Sequence, residues 1–202
     1  MKRLPAALLL VLAASTASAQ DTGTWVFKLG LHNVDPKSDN GALANGALKA
    51  DVGSEVRPTV TGEYLFSPQW GVEVLASWPF RHEVSLNGVK AASVKHLPPT
   101  VSVQYHFNSE GKVSPFVGLG LNYTYFFGEH TSGPLQGHKL SLKDSFGAAA
   151  HAGVDFRFDG NWIFTVDARW MSIDSKVKVD GAGVGTVHID PIVYGVAIGR
   201  SF

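Results

Sequence analysis

Apolar and polar residues alternate with a period of two along almost the whole chain, and this pattern constrains the fold more than any other feature. Successive side chains of a β-strand point to opposite faces of a sheet, so such alternation predicts strands that each carry one apolar face. In the first strand, about Thr24–Val34, Trp25 and Phe27 share one face while Lys28 lies on the other. Because no segment shows sustained helical periodicity, the sequence predicts an all-β protein.

Eight strands can be read from the alternation. They lie at about residues 24–34, 55–66, 72–80, 101–107, 117–127, 146–158, 162–170 and 192–198. The connections at residues 67–69, 108–112 and 159–161 are tight turns, whereas those at about 35–54, 81–94, 129–139 and 176–186 are longer loops. Since tight turns and long loops alternate, consecutive strands are expected to be antiparallel, with all of the long loops at one end.

The two faces of these strands have the wrong polarity for a soluble sheet protein. The face opposite the apolar one carries glycine, small residues and charged residues, which do not fit the packed interior of a β-sandwich. Aromatic residues lie near the ends of the apolar faces: Trp25, Phe66, Trp70, Phe80, Phe107, Phe127, Trp162 and Trp170. Membrane barrels present apolar bands bordered by aromatic girdles to lipid and keep polar residues inside. The sequence therefore predicts an eight-stranded antiparallel transmembrane β-barrel.

The N-terminal residues indicate where such a barrel is inserted. A positive start, Met1–Arg3, precedes the apolar stretch Leu4–Ala14, and Ala17-Ser18-Ala19 has the small residues that signal peptidase accepts. We expect residues 1–19 to be a cleaved signal peptide and residues 20–202 to be the barrel. No later run of 18 apolar residues could form a membrane-spanning helix. The predicted location is the bacterial outer membrane, with both termini in the periplasm, because the strand number is even.

The composition removes several classes of function. The chain has 17 Lys and Arg, 17 Asp and Glu, and no cysteine. A balanced charge argues against a nucleic-acid partner, and the lack of cysteine excludes disulfides, thiolate metal ligands and a thiol nucleophile. Neither a G-x-S-x-G nor an H-E-x-x-H motif occurs, so we expect no enzymatic activity, cofactor or metal site. A lipid-modifying enzyme using His82, His130 and Ser132 stays open as a remote alternative.

The last strand ends in an aromatic residue. Phe202 follows the alternating apolar residues Tyr194, Val196 and Ile198. This ending resembles the signal that the outer-membrane assembly machinery reads, although Arg200 departs from it. We therefore expect that machinery to be a partner of the unfolded chain.

Several segments closely resemble the OmpW family of small outer-membrane proteins, which includes alkane-uptake proteins. They are residues 95–100 (KHLPPT), 115–124 (PFVGLGLNYT), 141–147 (SLKDSFG) and 152–155 (AGVD), and Asp190-Pro191 with Tyr194. The resemblance covers essentially the whole mature chain; Phe146 departs from it, since tryptophan is common there. It implies a barrel with a narrow, largely apolar interior that passes small hydrophobic molecules. Some members of the family are bacteriocin or phage receptors.

The predicted lumen has two halves of different polarity. Asp155, Arg157, Asp167 and Arg169 are expected on its periplasmic side, where the pair Asp155/Arg157 could pair with Asp167/Arg169 on the neighbouring strand. Leu75, Phe126 and Met171 are expected to line its outer half. An eight-stranded barrel is only wide enough for side chains or one small ligand. A polar plug below an apolar funnel would stop a hydrophobic solute from passing straight through.

Pro98 and Pro99 suggest another exit. Proline donates no ladder hydrogen bond, so two in succession at the start of the fourth strand should interrupt strand pairing and open the wall near the outer end. We expect a small hydrophobic solute to leave sideways through this opening into the outer-membrane lipids. A non-transporting structural or adhesive barrel, and a receptor, are the alternatives.

Overall fold

The computed structural model describes residues 23–159 and 161–202; the predicted signal peptide, residues 1–19, lies outside them. The strands are β1 (Thr24–Asp35), β2 (Ala42–Leu43), β3 (Leu48–Val52), β4 (Glu55–Leu65), β5 (Trp70–Ser77), β6 (Phe80–Leu86), β7 (Val89–Leu97), β8 (Thr100–His106), β9 (Val113–Thr131), β10 (Leu140–Leu142), β11 (Ser145–Phe158), β12 (Trp162–Met171), β13 (Asp174–Val179), β14 (Ala182–His188) and β15 (Ile192–Ser201). A short 3-10 helix, Gly133–Leu135, follows β9. Within the described ranges, no helix is long and apolar enough to cross a membrane.

Eight of the strands form a closed antiparallel barrel in the order β1, β4, β5, β8, β9, β11, β12 and β15. β15 returns to pair with β1, where Ile198 lies opposite Leu29. Closure leaves no free strand edge, because every barrel strand has two neighbours. The predicted all-β fold class and the eight-stranded transmembrane barrel are confirmed.

The side-chain faces of the barrel are those of a membrane protein. Leu119 and Leu121 are 73% and 55% exposed on the outside, whereas Lys28 and Glu73 are 4% and 2% exposed inside. We call the end where β1 begins and β15 finishes the terminal end, and the other the loop end. Exposed aromatic side chains border the terminal end: Trp25, Tyr64, Phe66, Trp70, Phe107, Phe158, Trp162 and Phe202. The outer surface therefore matches a lipid-facing band with an aromatic border.

The connections expected to be long are long, but they are not irregular: together with the residues beside them they hold seven further strands. β9 continues beyond the barrel and pairs with β7, and the sheet extends through β6, β3 and β2. A second sheet contains β10, β13 and β14. The two sheets meet where the Ala44 amide donates to the Val184 carbonyl (2.7 Å) and where the Thr131 hydroxyl donates to the His138 carbonyl (3.1 Å). Together they form a ring on the loop end, which we call the loop-end ring.

Two hairpin signals in the sequence mark this ring. Asn87-Gly88 and Asp180-Gly181 all have positive φ angles, between 49° and 83°. Such dipeptides favour two-residue β-hairpins because both residues tolerate that conformation. Strand alternation alone missed these hairpins, since bulges shift the register at Val84/Ser85 and Val177/Lys178 and disturb the two-residue period.

A candidate binding cavity above a polar lumen plug

The terminal half of the lumen is filled by a network of buried polar side chains, which we call the lumen plug. Its members, each 6% exposed or less, are Lys28, His32, Glu63, Glu73, Gln104, His106, His151, Asp155, Asp167 and Arg169. A charge removed from water is tolerated only when it is paired and hydrogen-bonded. The contacts within the plug meet this requirement.

Arg169 is the centre of the network. Its Nη1 donates to Glu73 Oε1 (2.6 Å) across the lumen, and its Nε donates to Asp167 Oδ2 (2.6 Å) on the same strand. The other Asp167 oxygen lies 2.9 Å from His32 Nε2. Lys28 Nζ forms a second cross-lumen ion pair with Asp155 Oδ1 at 2.8 Å. Ion pairs between strands far apart in sequence therefore tie opposite walls of the barrel together.

The structure brings Asp155, Asp167 and Arg169 into the lumen but does not form the pairing expected from the sequence. Asp155 bonds Lys28 and the Thr165 hydroxyl, not an arginine on the adjacent strand. Arg157 is half-buried, and its Nε and Nη2 atoms have no hydrogen-bond partner within the described residues. The cross-lumen partners were missed because the tilt and stagger of a closed barrel decide which side chains meet across it.

Glycines in the barrel wall make room for the plug. A Cβ atom added at Gly118 would lie 2.0 Å from His151 Nε2, and one at Gly71 would lie 2.3 Å from Glu63 Oε1. Both distances are far below van der Waals contact. The glycines on the inner face thus let large polar side chains of the neighbouring strands lie flat against the wall.

The side chains that face the lumen change from polar to apolar within two residues along a strand. Leu75 follows Glu73 by two residues on the inner face of β5, and Met171 follows Arg169 in the same way on β12. Both side chains are buried, 4% and 1% exposed, and belong to one apolar cluster with Phe126. Leu75, Phe126 and Met171 therefore lie together on the loop side of the plug.

A cavity of about 80 Å³ lies inside the loop-end ring. Every strand of the ring contributes to its apolar lining, which includes Leu43, Val52, Leu86, Val94, Phe126, Leu142, Val177 and Val187. Of the three residues expected in the apolar half, Phe126 is the one that lines this cavity directly. An apolar cavity stays dry and can accept an apolar molecule. The arrangement is suited to binding a small apolar molecule.

Two stacked histidines are the polar residues in the cavity wall. The rings of His82 and His96 lie 4.8 Å apart and almost parallel, between Phe80 and Phe126. His82 Nδ1 donates to the Gly53 carbonyl, and both Nε2 atoms have no hydrogen-bond partner among the described residues. Burial lowers the pKa of His82 and lowers that of His96 well below its usual value. The pair is therefore neutral at physiological pH and behaves as part of the apolar wall.

Pro98 and Pro99 lie where the barrel joins the loop-end ring. The pairing of β5 with β8 ends at Leu75–Thr100, and the pairing of β6 with β7 begins at Phe80–His96. Residues 76–79 and 97–99 lie between these two ladders. The predicted third strand accordingly stops at Ser77 instead of continuing to Phe80. The proline pair thus coincides with an interruption in strand pairing at the level of the apolar cluster.

Asn122 holds the proline segment from the lumen side. Its Nδ2 lies 3.1 Å from the Pro98 carbonyl, 3.2 Å from the Pro99 carbonyl and 2.9 Å from Thr100 Oγ1. An amide NH₂ group has two protons, so it serves these three acceptors by sharing. This role of Asn122 was not predicted; its signal in the sequence is an asparagine among inward-facing glycines and threonines.

The C-terminal strand presents its apolar residues to the outside. Tyr194, Val196, Ile198 and Phe202 are 50%, 42%, 54% and 37% exposed. Phe202 also exchanges backbone hydrogen bonds with Trp25, at 2.8 and 3.1 Å, which fix the chain end to β1. Recognition of this strand by the assembly machinery stays a prediction.

The structure does not join the three residues of the remote enzyme alternative by hydrogen bonds to one another: the Ser132 hydroxyl is buried without a partner among the described residues. His82 bonds Gly53, and the exposed His130 bonds the Gly128 carbonyl within its own strand. Among the described residues, Asp174, His188 and Asp190 have ligand atoms close enough to share a metal ion. Asp190 already accepts hydrogen bonds from Lys37 Nζ (2.8 Å) and the Ile173 amide (3.0 Å), so these residues form a hydrogen-bonded corner of the loop-end ring.

Comparison with known proteins gives a consistent result. A sequence model described as the OmpW family matches residues 21–202. Outer membrane protein W of Escherichia coli is 34% identical, with all of both chains covered. The crystal structure of the outer membrane protein OprG from Pseudomonas aeruginosa is 33% identical, with a TM-score of 0.81 over 90% of this chain and 96% of that one. The dibenzothiophene metabolism operon protein PahQ of Pseudomonas aeruginosa is 25% identical, with 88% of both chains covered.

Proposed function

Because the chain belongs to the OmpW family of outer-membrane proteins, we propose that it is a channel through which small hydrophobic molecules enter the outer membrane. The observation that carries this proposal is the apolar cavity in the loop-end ring, directly beyond a lumen closed by buried ion pairs. With both termini in the periplasm, the cavity faces the outside of the cell, where a solute arrives.

The lumen plug argues against a straight path. Arg169, Glu73 and Asp167 are each 5% exposed or less, and separating them to admit an apolar molecule would leave charges without partners in a dry site. Breaking such a buried pair costs about 3–5 kcal/mol. A hydrophobic solute offers no hydrogen bonds to offset that cost, so axial passage is strongly disfavoured.

The interrupted pairing near Pro98 and Pro99 supports a lateral route. Opening a wall is easiest where backbone hydrogen bonds are already missing, because each further bond that must break adds to the barrier. The apolar cluster around Leu75 and Phe126 lies at the same level. A solute leaving there would move from an apolar pocket into the hydrocarbon of the bilayer without contacting water.

The cavity volume sets a condition on transport. About 80 Å³ is roughly half of the ~150 Å³ apolar cavity that binds benzene. Passage of a hydrocarbon therefore requires lining side chains such as Phe126 to move. The name of the relative PahQ, which refers to metabolism of the aromatic compound dibenzothiophene, supports a compact aromatic compound as the solute.

The test is uptake of a radiolabelled monoterpene and a radiolabelled aromatic hydrocarbon by cells with and without the protein. The variant Pro98→Val/Pro99→Val restores two backbone donors and should extend strand pairing across the interruption. We expect wild-type protein to raise uptake and this variant to lose most of the increase at equal abundance in the outer membrane. Pro115→Val, near the terminal end of β9, is the matched control and should transport normally.

A second variant separates the two routes. Glu73→Met/Arg169→Met replaces the central ion pair with apolar side chains of similar length, and should leave uptake unchanged if solute never reaches the plug. Normal uptake by the proline variant together with changed uptake by the plug variant would refute the lateral route. No increase in uptake by wild-type protein would favour a structural or adhesive barrel, or a receptor.

A further inference from the structure

The barrel strand β4 lacks a strand partner on one side over its first three residues. Within the described ranges, Glu55–Arg57 pair with β1 on one side, whereas the pairing of β4 with β5 on the other side begins at Thr59–Ser77. The strand β6 pairs with β3 and β7 but not with β4. We call this unpaired stretch of the wall, residues 54–57 on one side and residues 79–82 on the other, the seam.

Backbone hydrogen bonds close both ends of the seam. At one end the Trp78 amide donates to the Pro58 carbonyl (3.0 Å), and at the other the Gly53 amide donates to the Glu83 carbonyl (3.0 Å). The two chain segments therefore run side by side along the seam, although no strand pairing joins them within the described residues.

The side chain of Glu55 joins the two sides of the seam. One of its carboxylate oxygens, Oε2, accepts the backbone amide of Arg81, and the other, Oε1, accepts from Arg57 Nη2. The side chains of Glu55 and Arg57 are partly buried, 22% and 38% exposed. Hydrogen bonds to an ionised group are stronger than neutral ones. Arg57 thus positions the carboxylate, and Glu55 supplies the acceptor that a neighbouring strand would otherwise provide.

The seam lies in the wall of the cavity. Val52 and His82, which come from the strands on its two sides, both line the cavity. On the outer surface, Val56 and Trp78 are 55% and 53% exposed. The seam therefore separates an apolar space inside the loop-end ring from an apolar outer surface.

The seam meets the interruption at the proline pair. That interruption leaves residues 76–79 without ladder partners on the side of β8, and the seam leaves residues 79–82 without them on the side of β4. The two share Pro79, which has no amide to donate, and the nearby Ser77 hydroxyl is buried without a partner among the described residues. Local opening is easiest where few backbone hydrogen bonds must break. The corner between β5 and β6 is such a place.

We propose that Glu55 is a latch that holds this corner closed, an inference that rests on the lateral route proposed above. Release of the Arg81 amide from the carboxylate lets the corner at residues 78–79 move away from β4. The seam and the interruption at Pro98 and Pro99 then form one continuous exit from the cavity. Glu55 would thereby control how often the wall opens.

Spin-label distances test the latch without any transport. The chain has no cysteine, so Val56→Cys/Arg81→Cys places two labels at exposed positions on the two sides of the seam. Hydrogen bonds to charged groups shift an equilibrium by about tenfold or more. In lipid vesicles we therefore expect Glu55→Ala to raise the population with the longer distance about tenfold. An unchanged distance distribution would overturn the latch.

Two controls accompany this measurement. Glu83→Ala also removes a carboxylate from the loop-end ring, but that carboxylate pairs with Lys90, so the distances across the seam should not change. Labels at Asn33→Cys/Val56→Cys span the paired strands β1 and β4 and should keep one distance in every variant. A change there as well would refute an opening confined to the seam. If Glu55→Ala does not fold, Glu55→Gln decides by the same criterion, with a smaller expected rise and the same contrary result.

A reversible cross-link tests the role of the seam in transport. A cleavable bismaleimide that joins the thiols of Val56→Cys/Arg81→Cys should remove most of the uptake by cells, and reduction of the linker should restore it. The same reagent on Asn33→Cys/Val56→Cys should have no effect. Normal uptake by the locked protein would refute the seam as part of the exit. If wild-type protein does not raise uptake at all, the proposed function fails, and the spin-label distances still decide whether Glu55 is a latch.

Discussion

Replacement of Arg169 tests most directly how much the lumen plug stabilises the barrel. Arg169→Met removes the Nη1–Oε1 hydrogen bond to Glu73 and the Nε–Oδ2 hydrogen bond to Asp167, both 2.6 Å long. The side chains of all three residues are 3% exposed or less. Since the change leaves Glu73 buried and without its cation, we expect a loss of about 3–5 kcal/mol in the free energy of unfolding.

The double variant Glu73→Met/Arg169→Met gives the decisive comparison. Replacing both partners of a buried ion pair with apolar residues of similar volume is often neutral or stabilising. Asp167 retains its contact with His32 at 2.9 Å. We therefore expect the double variant to be more stable than either single variant, which is a strongly non-additive result.

Urea titration of the barrel refolded into lipid vesicles, followed by tryptophan fluorescence, measures these free energies. Each variant must refold reversibly for the comparison to hold. A loss below about 1 kcal/mol in Arg169→Met is typical of solvent-exposed ion pairs. That result, or additive losses in the double variant, would mean that water reaches the lumen and would refute the description of the plug as dry.

Three other changes test the wall, the proline segment and the cavity. Leu121→Arg places a charge on the lipid-facing side of β9 and should lower the unfolding free energy in vesicles by about 2–4 kcal/mol. Asn122→Leu removes the donor that serves the two proline carbonyls and should cost about 1–3 kcal/mol in the same assay. Burial lowers the pKa of both His82 and His96 below the unfolded value, so their contribution to stability is present above about pH 6.5 and is lost as pH falls. The protection of loop-end ring amides against hydrogen exchange, corrected for the intrinsic exchange rate at each pH, should therefore fall below about pH 6.

Each of these predictions has a control. Leu121→Ile should leave the stability nearly unchanged, and an equal loss in both Leu121 variants would contradict a lipid-facing position. Asn122→Asp keeps the size of the side chain but lacks the NH₂ donor, so a wild-type stability in this variant would argue against the carbonyl contacts. His82→Phe/His96→Phe should remove the acid sensitivity of the loop-end ring, and an unchanged pH dependence would assign it to other groups.

Much of the barrel follows from the sequence because the side-chain period of a strand is two. Once Leu119 and Leu121 are assigned to one face, Gly118 and Asn122 must lie on the other. The same reasoning assigns the inner and outer residues of all eight strands. The tight turns at Ser67–Gln69 and Asn108–Lys112 then fix which ends of the strands lie together. These inferences depend only on the two-residue period of a strand and on the positions of short turns, both of which can be read from the sequence.

The loop-end ring and the cavity needed the tertiary structure. Hairpins such as β6–β7 fold back over the barrel mouth, and their bulges hide the alternation that marks the other strands. Whether these segments enclose a space depends on contacts such as Ala44 with Val184, which join residues far apart in the chain. No local pattern specifies contacts of this kind.

The ion pairs inside the lumen are the clearest example of contacts that the sequence alone did not specify. The sequence placed Asp155, Asp167 and Arg169 on inner faces, because face is a local property. Lys28 pairs with Asp155 across 127 residues, and Arg169 pairs with Glu73 across 96, because barrel closure with a particular stagger brings those strand levels together. The sequence by itself thus determined which side chains enter the lumen, and only the closed barrel decided which of them meet.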